Sequence, residues 1–157
     1  VGPAEAPPTV IAALGPKMLE LAATVQGAHP YFVPPEHTVE ARRIMGPEPL
    51  LAVEQMVILD TDATSARELA RRDMTRYLQL PNYANNLRRL GYTEEDLAGP
   101  SDRLVDAIVA WGDGDAIKAR VQAHLDAGAD HVCVQHLVAD RRNVPMAEWR
   151  QLADILL

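Results

Sequence analysis

Short apolar runs rich in β-branched residues alternate along this chain with stretches at helical spacing, and no other feature constrains the fold as tightly. Thr9-Val10-Ile11-Ala12-Ala13-Leu14 is nearly all apolar; Gly15-Pro16 interrupts it, and Met18, Leu21, Ala22 and Val25 then recur at the spacing of one helical face. A short strand that is apolar on both faces predicts a parallel sheet, because crossover helices cover both of its sides. Pro16 suits a first helical position, where a missing N–H costs nothing. The unit is strand, tight turn, helix.

The unit recurs. Gly27 to Val33 stands where the next strand should fall and reads as a short strand running into a loop, since Pro30 removes a ladder donor. After Pro34-Pro35, Thr38 to Met45 forms a short helix ended by Gly46-Pro47. A third strand spans Leu50 to Leu59, before Asp60-Thr61-Asp62. Ser65-Ala66-Arg67-Glu68 has the spacing of a capping box, so a long helix is expected from Thr64 or Ser65 to about Leu80, stopped or bent by Pro81-Asn82. Helical pieces divided by Gly91 and Gly99-Pro100 follow; this stretch, about 82–114, is too long for a simple crossover and reads as an insertion. Asp115 is expected to cap a helix carrying Ile117, Val121 and Leu125 that ends at Gly128. Asp130 to Gln135 is the fourth strand, and Pro145 opens a last helix with Trp149, Leu152, Ala153 and Leu156 on one stripe. Four strand-helix units define an α/β chain with right-handed crossovers, closed as a barrel or open as a doubly wound sheet; periodicity does not choose between them. No Gly-x-Gly-x-x-Gly follows the first strand, which argues against a dinucleotide-binding open sheet.

The 157 residues, 48% hydrophobic and 24% charged, suit a single domain with one core. The absence of a long apolar run and of a signal-like start makes a cytoplasmic protein the default expectation, with no membrane partner. Cys133 is the single cysteine, so no internal disulfide is available. A formal net charge of -7 argues against nucleic-acid binding, which needs clustered cations; the pairs Arg42-Arg43, Arg71-Arg72 and Arg88-Arg89 are scattered and neighboured by acids.

Five segments then resemble one family in order and at compatible spacing. They are residues 8–19 (PTVIAALGPKML), 27–31 (GAHPY), 59–62 (LDTD), 80–91 (LPNYANNLRRLG) and 127–132 (AGADHV). Together they resemble the luciferase-like monooxygenase superfamily, and within it the actinobacterial branch that uses the deazaflavin coenzyme F420. The resemblance implies a (β/α)8 TIM-type barrel in which this chain supplies a C-terminal half-barrel, strands five to eight, with the helical insertion before the last strand. Such barrels need about 250 residues. The chain, which opens Val1-Gly2-Pro3-Ala4 without an initiator Met, is therefore expected to be a fragment, inactive alone, that forms a homodimer or pairs with an N-terminal half. Relatives often carry Asp where this chain has Gln26, which keeps the hydrogen bonding and loses the charge.

Ala12-Ala13-Leu14-Gly15-Pro16-Lys17 lies between a strand end and a helix start, where free backbone N–H groups and the helix dipole favour an anion. By the resemblance this turn packs against coenzyme F420, with flavin mononucleotide (FMN) as the alternative cofactor. His29, Tyr31 and Phe32 follow the second strand toward the same end of the sheet and are expected to line a pocket for a flat ring or an apolar small-molecule substrate. His131-x-Cys133-x-x-His136 offers metal-ligand types, but residue 136 falls on the strand face opposite to 131 and 133, so no metal site is expected. Arg141-Arg142, after the last strand, stand where such barrels hold phosphate. Asn82, Asn85 and Asn86 share a helical face suited to a lid, to a subunit contact or to packing. No catalytic acid or base is assigned.

Overall fold

A computed structural model describes residue 2 and residues 7–140, 142 and 144–157. In chain order its elements are β1 (Ile11–Ala12), α1 (Pro16–Thr24), β2 (Gly27–His29), α2 (Pro35–Met45), β3 (Leu50–Ile58), α3 (Ala63–Leu78), α4 (Pro81–Arg89), α5 (Glu94–Ala98), α6 (Asp102–Ile108), β4 (Val109–Trp111), α7 (Gly114–Asp126), β5 (His131–His136) and α8 (Met146–Leu156). All strand pairs are parallel. The sheet therefore belongs to the mixed α/β class expected from the alternation of runs.

β3 organises the sheet. The Leu50 N–H donates to Gln26 O at 2.9 Å, the Glu54 N–H to Pro30 O at 3.0 Å, and the Gly112 N–H to Ile58 O at 3.2 Å. Even-numbered residues of β3 thus serve one edge, shared by β2 and then β4. The odd-numbered Leu51 and Val57 accept from Asp130 and Leu137, so β5 lies on the other edge. The path is β1-β2-β3-β5 in chain order, with β4 continuing the β2 edge. This order lacks the reversal that defines a doubly wound sheet.

Side chains follow the same parity. Leu51 and Val53 pack on Leu19 and Ala22 of α1 and Ala41 and Met45 of α2, while Val57 packs on Ile117 of α7 and Leu152 of α8. On the opposite face Met56 and Ile58 meet α3, α4 and α6 through Ala66, Ala70, Met74, Leu87, Leu104 and Ile108. A buried polar chain ties the helix layer to the sheet. Thr38 donates to His124 Nδ1 at 2.8 Å, His124 Nε2–H donates to Gln55 Oε1 at 2.9 Å, and Gln55 Nε2 donates to Met56 O and Ile108 O. Gln55 fixes the tautomer, because its carbonyl oxygen only accepts. Burial, helped by the Arg120 charge, lowers the His124 pKa to about 4, so the ring is neutral.

Several local expectations are corrected. The first strand is two residues long, and Ala12 is exposed, because among the described residues β1 pairs with β2 alone and the cleft opens over it. Of the expected α1 stripe Met18-Leu21-Ala22-Val25 only Ala22 is buried, with Leu19 beside it; Met18, Leu21 and Val25 are 42–49% exposed. α2 begins a turn early, at Pro35. α3 is capped by Asp62, whose carboxylate accepts from the Thr64 and Ser65 N–H groups, so the Ser65 capping box does not form. Asp113, not Asp115, caps α7 by accepting from the Ala116 N–H. The capping box that does form is Thr93 with Asp96 on α5. The insertion contributes a fifth strand, β4, to the four that were expected. On α8 only Leu152 of the stripe is buried; Trp149 remains 49% exposed.

Candidate functional site

The C-terminal ends of β1 and β2 open into a cleft of about 470 Å³. One wall is the β1–α1 turn, from Ala12 through Pro16, with Met18 beyond it; the other is α4, presenting Asn82, Tyr83, Asn85, Asn86 and Arg89; His29 and Tyr31 close the floor. Sequence-distant segments meet here because α4 folds back over the sheet: Leu87 anchors it in the core beside Phe32 and Met56.

The turn leaves open space and a free donor. A Cβ placed on Gly15 would meet nothing within 4 Å, so the space above it is open. Gly15 O already accepts from the Met18 and Leu19 N–H groups, and Pro16 has no N–H. Among the described residues no acceptor bonds the Lys17 N–H, which leaves it as the free first-turn donor. The Lys17 side chain is exposed and is not part of the cleft lining. His37 of α2, fully buried, donates from Nε2 to Leu14 O at 2.8 Å and steadies the turn from behind. Its burial lowers its pKa, which keeps it neutral.

The aromatic floor is a connected cluster. Tyr31 lies 5.4 Å from Tyr77 and 6.3 Å from Tyr83 between ring centroids, and His29 lies 6.5 Å from Tyr31. The Tyr31 hydroxyl donates to Gln135 Oε1 at 2.7 Å and accepts from Tyr77 at 2.8 Å, so the cleft floor is tied to β5. Burial, then the bond to Tyr77, raises the Tyr31 pKa far above its ordinary value; the phenol stays protonated. His29 Nδ1 lies 2.7 Å from Ala52 O, which makes Nδ1 the protonated nitrogen and leaves Nε2 as the ring's acceptor. Phe32 does not line the cleft. It is 1% exposed, stacks on Tyr77 at 5.1 Å, and holds a φ of 61°, a backbone conformation that costs about 1 kcal/mol or more for a bulky residue.

Phe32 is held there by a residue the sequence reading passed over. Glu54, 4% exposed, accepts the Phe32 N–H on Oε2 at 3.2 Å, and its Oε1 has no partner among the described residues. Desolvation raises its pKa to about 7, against the lowering effect of the Phe32 N–H. Cys133 stands beside it in register, and burial, followed by the Glu54 charge, raises the thiol pKa. The available signal was two adjacent polar residues, Glu54-Gln55, inside an otherwise apolar strand.

The remaining candidates lie elsewhere. His131 and Cys133 share one face of β5, whereas His136 points to the other and sits 3.5 Å from the Leu59 N–H. No group of three or more His, Cys, Asp or Glu among the described residues could hold a metal ion. Arg141 lies outside the described residues; Arg142 is exposed and paired with Asp140. No described helix is long and apolar enough to cross a membrane.

No protein-family model matches this chain, and no curated protein matches it. Solved structures do. An F420-dependent secondary alcohol dehydrogenase, in complex with an F420-acetone adduct, superposes with a TM-score of 0.64 at 15% identity, covering 89% of this chain and 46% of that one. Apo-MsnO8 superposes with a TM-score of 0.63 at 19% identity, covering 98% of this chain and 52% of that one. The class of fold is thus a parallel α/β fold shared with an F420-dependent oxidoreductase. The chain spans about half the length of these structures.

Proposed function

We propose that this chain is the C-terminal half of a luciferase-like (β/α)8 barrel oxidoreductase, and that the cleft over Gly15 receives part of coenzyme F420, with FMN as the alternative occupant. The observation that carries this reading is the cleft itself: an apolar trough at the C-terminal ends of parallel strands, lined by an open glycine and by tyrosine rings, with the free Lys17 N–H next to its lining rather than in it. In barrels of this kind active sites are built at that end of the strands. The similar structure that carries F420 supports the choice of cofactor. When bound, the deazaflavin supplies the hydride chemistry, exchanging a hydride at its C5 with a small organic substrate. The chain's own residues bind and orient: the Lys17 N–H and the dipole of α1 favour a phosphate-bearing tail, Tyr31 and Tyr83 flank a flat ring, and the apolar walls exclude water. His29 offers Nε2 as an acceptor toward the ligand.

Fluorescence titration of the protein with F420 and, separately, with FMN tests this reading. Saturable binding of the deazaflavin, weakened in Gly15→Val, is the expected result; a protein that binds neither molecule refutes it.

A second reading concerns the partner. Among the described residues β5 pairs with β3 alone, its residues are partly buried or exposed, and Trp149 and Leu157 are exposed beside it. An open parallel edge flanked by apolar side chains favours a further chain segment there, either the N-terminal half-barrel or a second copy. Light scattering distinguishes a dimer from a monomer, and a monomer that resists aggregation counts against an open edge.

A further inference from the structure

One residue of the cleft lining carries a buried polar atom without a partner among the described residues. Asn86, on α4, lines the cleft and is 5% exposed. Its Oδ1 accepts from Arg89 Nη2 at 2.7 Å. That contact settles the orientation of the amide, because a guanidinium only donates. Nδ2 is the other end, and among the described residues it has no hydrogen-bond partner. A buried amide N–H without an acceptor costs about 1–3 kcal/mol, so proteins rarely leave one without a purpose. The amide is also not free to turn toward another acceptor. Arg89, which holds its oxygen, is itself fixed by an ion pair with Glu40.

We propose that Asn86 is a binding residue whose Nδ2–H donates to an oxygen acceptor on the ligand in the cleft. The inference rests on the reading of that cleft as a cofactor site. The ligand chemistry it demands is a carbonyl or phosphate oxygen; an apolar ligand would leave the donor buried and unpaired. The surroundings fit a planar molecule with oxygen at its rim. Tyr83, three residues before Asn86 on the same helix, and Tyr31 supply ring faces, and the β1–α1 turn opposite supplies apolar contact. The insertion helix would thereby read polar atoms on a ligand that the strand ends hold by shape.

Asn86→Asp isolates the donor. It preserves size and keeps an oxygen for Arg89, but presents a second oxygen where the N–H2 stood. The dissociation constant of F420 should rise about tenfold or more, measured at a temperature where the melting curve shows the variant fully folded. The same titration with the deazaflavin chromophore lacking its phosphate separates the two sources of the acceptor: a loss confined to the phosphorylated form places Asn86 on the phosphate, and an equal loss in both places it on the ring carbonyls. A second readout needs no variant, namely the Asn86 side-chain amide signals in ¹⁵N–¹H spectra during titration with F420, FMN and inorganic phosphate. A shift on saturation supports the inference. Unchanged affinity in Asn86→Asp, or unmoved amide signals while F420 or FMN binds, overturns it and leaves the cleft reading standing; that is also the result if a trapped water alone satisfies Nδ2. If neither cofactor binds, the cleft reading fails, and an Asn86 signal unmoved by phosphate then overturns this inference as well.

Discussion

Replacing Glu54 by Gln should change how stability depends on pH. Glu54 is buried on the inner face of β3, and its pKa moves from an ordinary 4.5 to about 7 through desolvation. Between those values the folded chain keeps a proton that the unfolded chain has released. The stabilisation is therefore fully present below about pH 4.5, falls as pH rises, and is gone above about pH 7. The interval corresponds to about 3 kcal/mol. His124 acts in the opposite sense. Its pKa falls from 6.5 to about 4, so its contribution is present above 6.5 and is lost as pH drops toward 4, again by about 3 kcal/mol. In the wild type the two trends largely cancel, which makes the raw profile uninformative and the difference between proteins decisive. In Glu54→Gln the introduced amide stays neutral, and its carbonyl can still accept the Phe32 N–H. Urea unfolding of both proteins, followed by far-ultraviolet circular dichroism from about pH 4.5 to about pH 8, should show the variant gaining on the wild type by about 3 kcal/mol across the range. A difference that stays constant with pH would refute the assignment of a proton to Glu54.

Gly27→Ala should destabilise the fold by about 3 kcal/mol or more in urea unfolding, because its Cβ would lie 2.8 Å from the Leu50 Cβ, against the backbone of the paired strand. Gly15→Val should leave stability nearly unchanged, since nothing lies within 4 Å of the new Cβ, and weaken F420 binding about tenfold by filling the open end of the cleft. His124→Phe should cost about 2–4 kcal/mol, as Thr38 and Gln55 lose their shared partner in the core; thermal unfolding measures it. In an active preparation His29→Ala should alter kcat or KM, whereas unchanged steady-state kinetics would remove the imidazole from the site.

The sequence carried the fold where a local pattern decides structure, and failed where distant residues decide it. β3 and the end of α2 were legible because a mostly apolar run and the Gly46-Pro47 break are local signals. The buried face of α1 was legible only at Ala22, because Leu19 and the remaining stripe members Met18, Leu21 and Val25 are all apolar, and only the position of β2 and α2 selects Leu19. Asp62 outcompeted Ser65 as a cap for a related reason: Thr64 and Ser65 present their N–H groups to its carboxylate once the chain turns out of β3. In the site, the Ala12–Pro16 turn, His29 and Tyr31 come together as their positions at strand ends suggested. Lys17 and Phe32 stand outside the lining, the first in solvent and the second in the core. Asn86 was visible only as one of three amides on a helical face; its unpaired donor emerges from a contact with Arg89 that spacing alone does not orient.

The cleft and the sheet interior are mechanically one system, and Phe32 is the joint. Its backbone N–H is fixed by Glu54 from β3, its ring stacks on Tyr77 from α3, and its neighbour Tyr31 forms the cleft floor. Phe32 holds a φ of 61° next to Tyr31, whose hydroxyl is bonded to Gln135. Phenylalanine is the wrong residue for that backbone conformation if local preference alone decided, so its presence there is accounted for by the two side chains that grip it. The polar interior of β3 thus helps set the shape of a cleft whose lining it does not join.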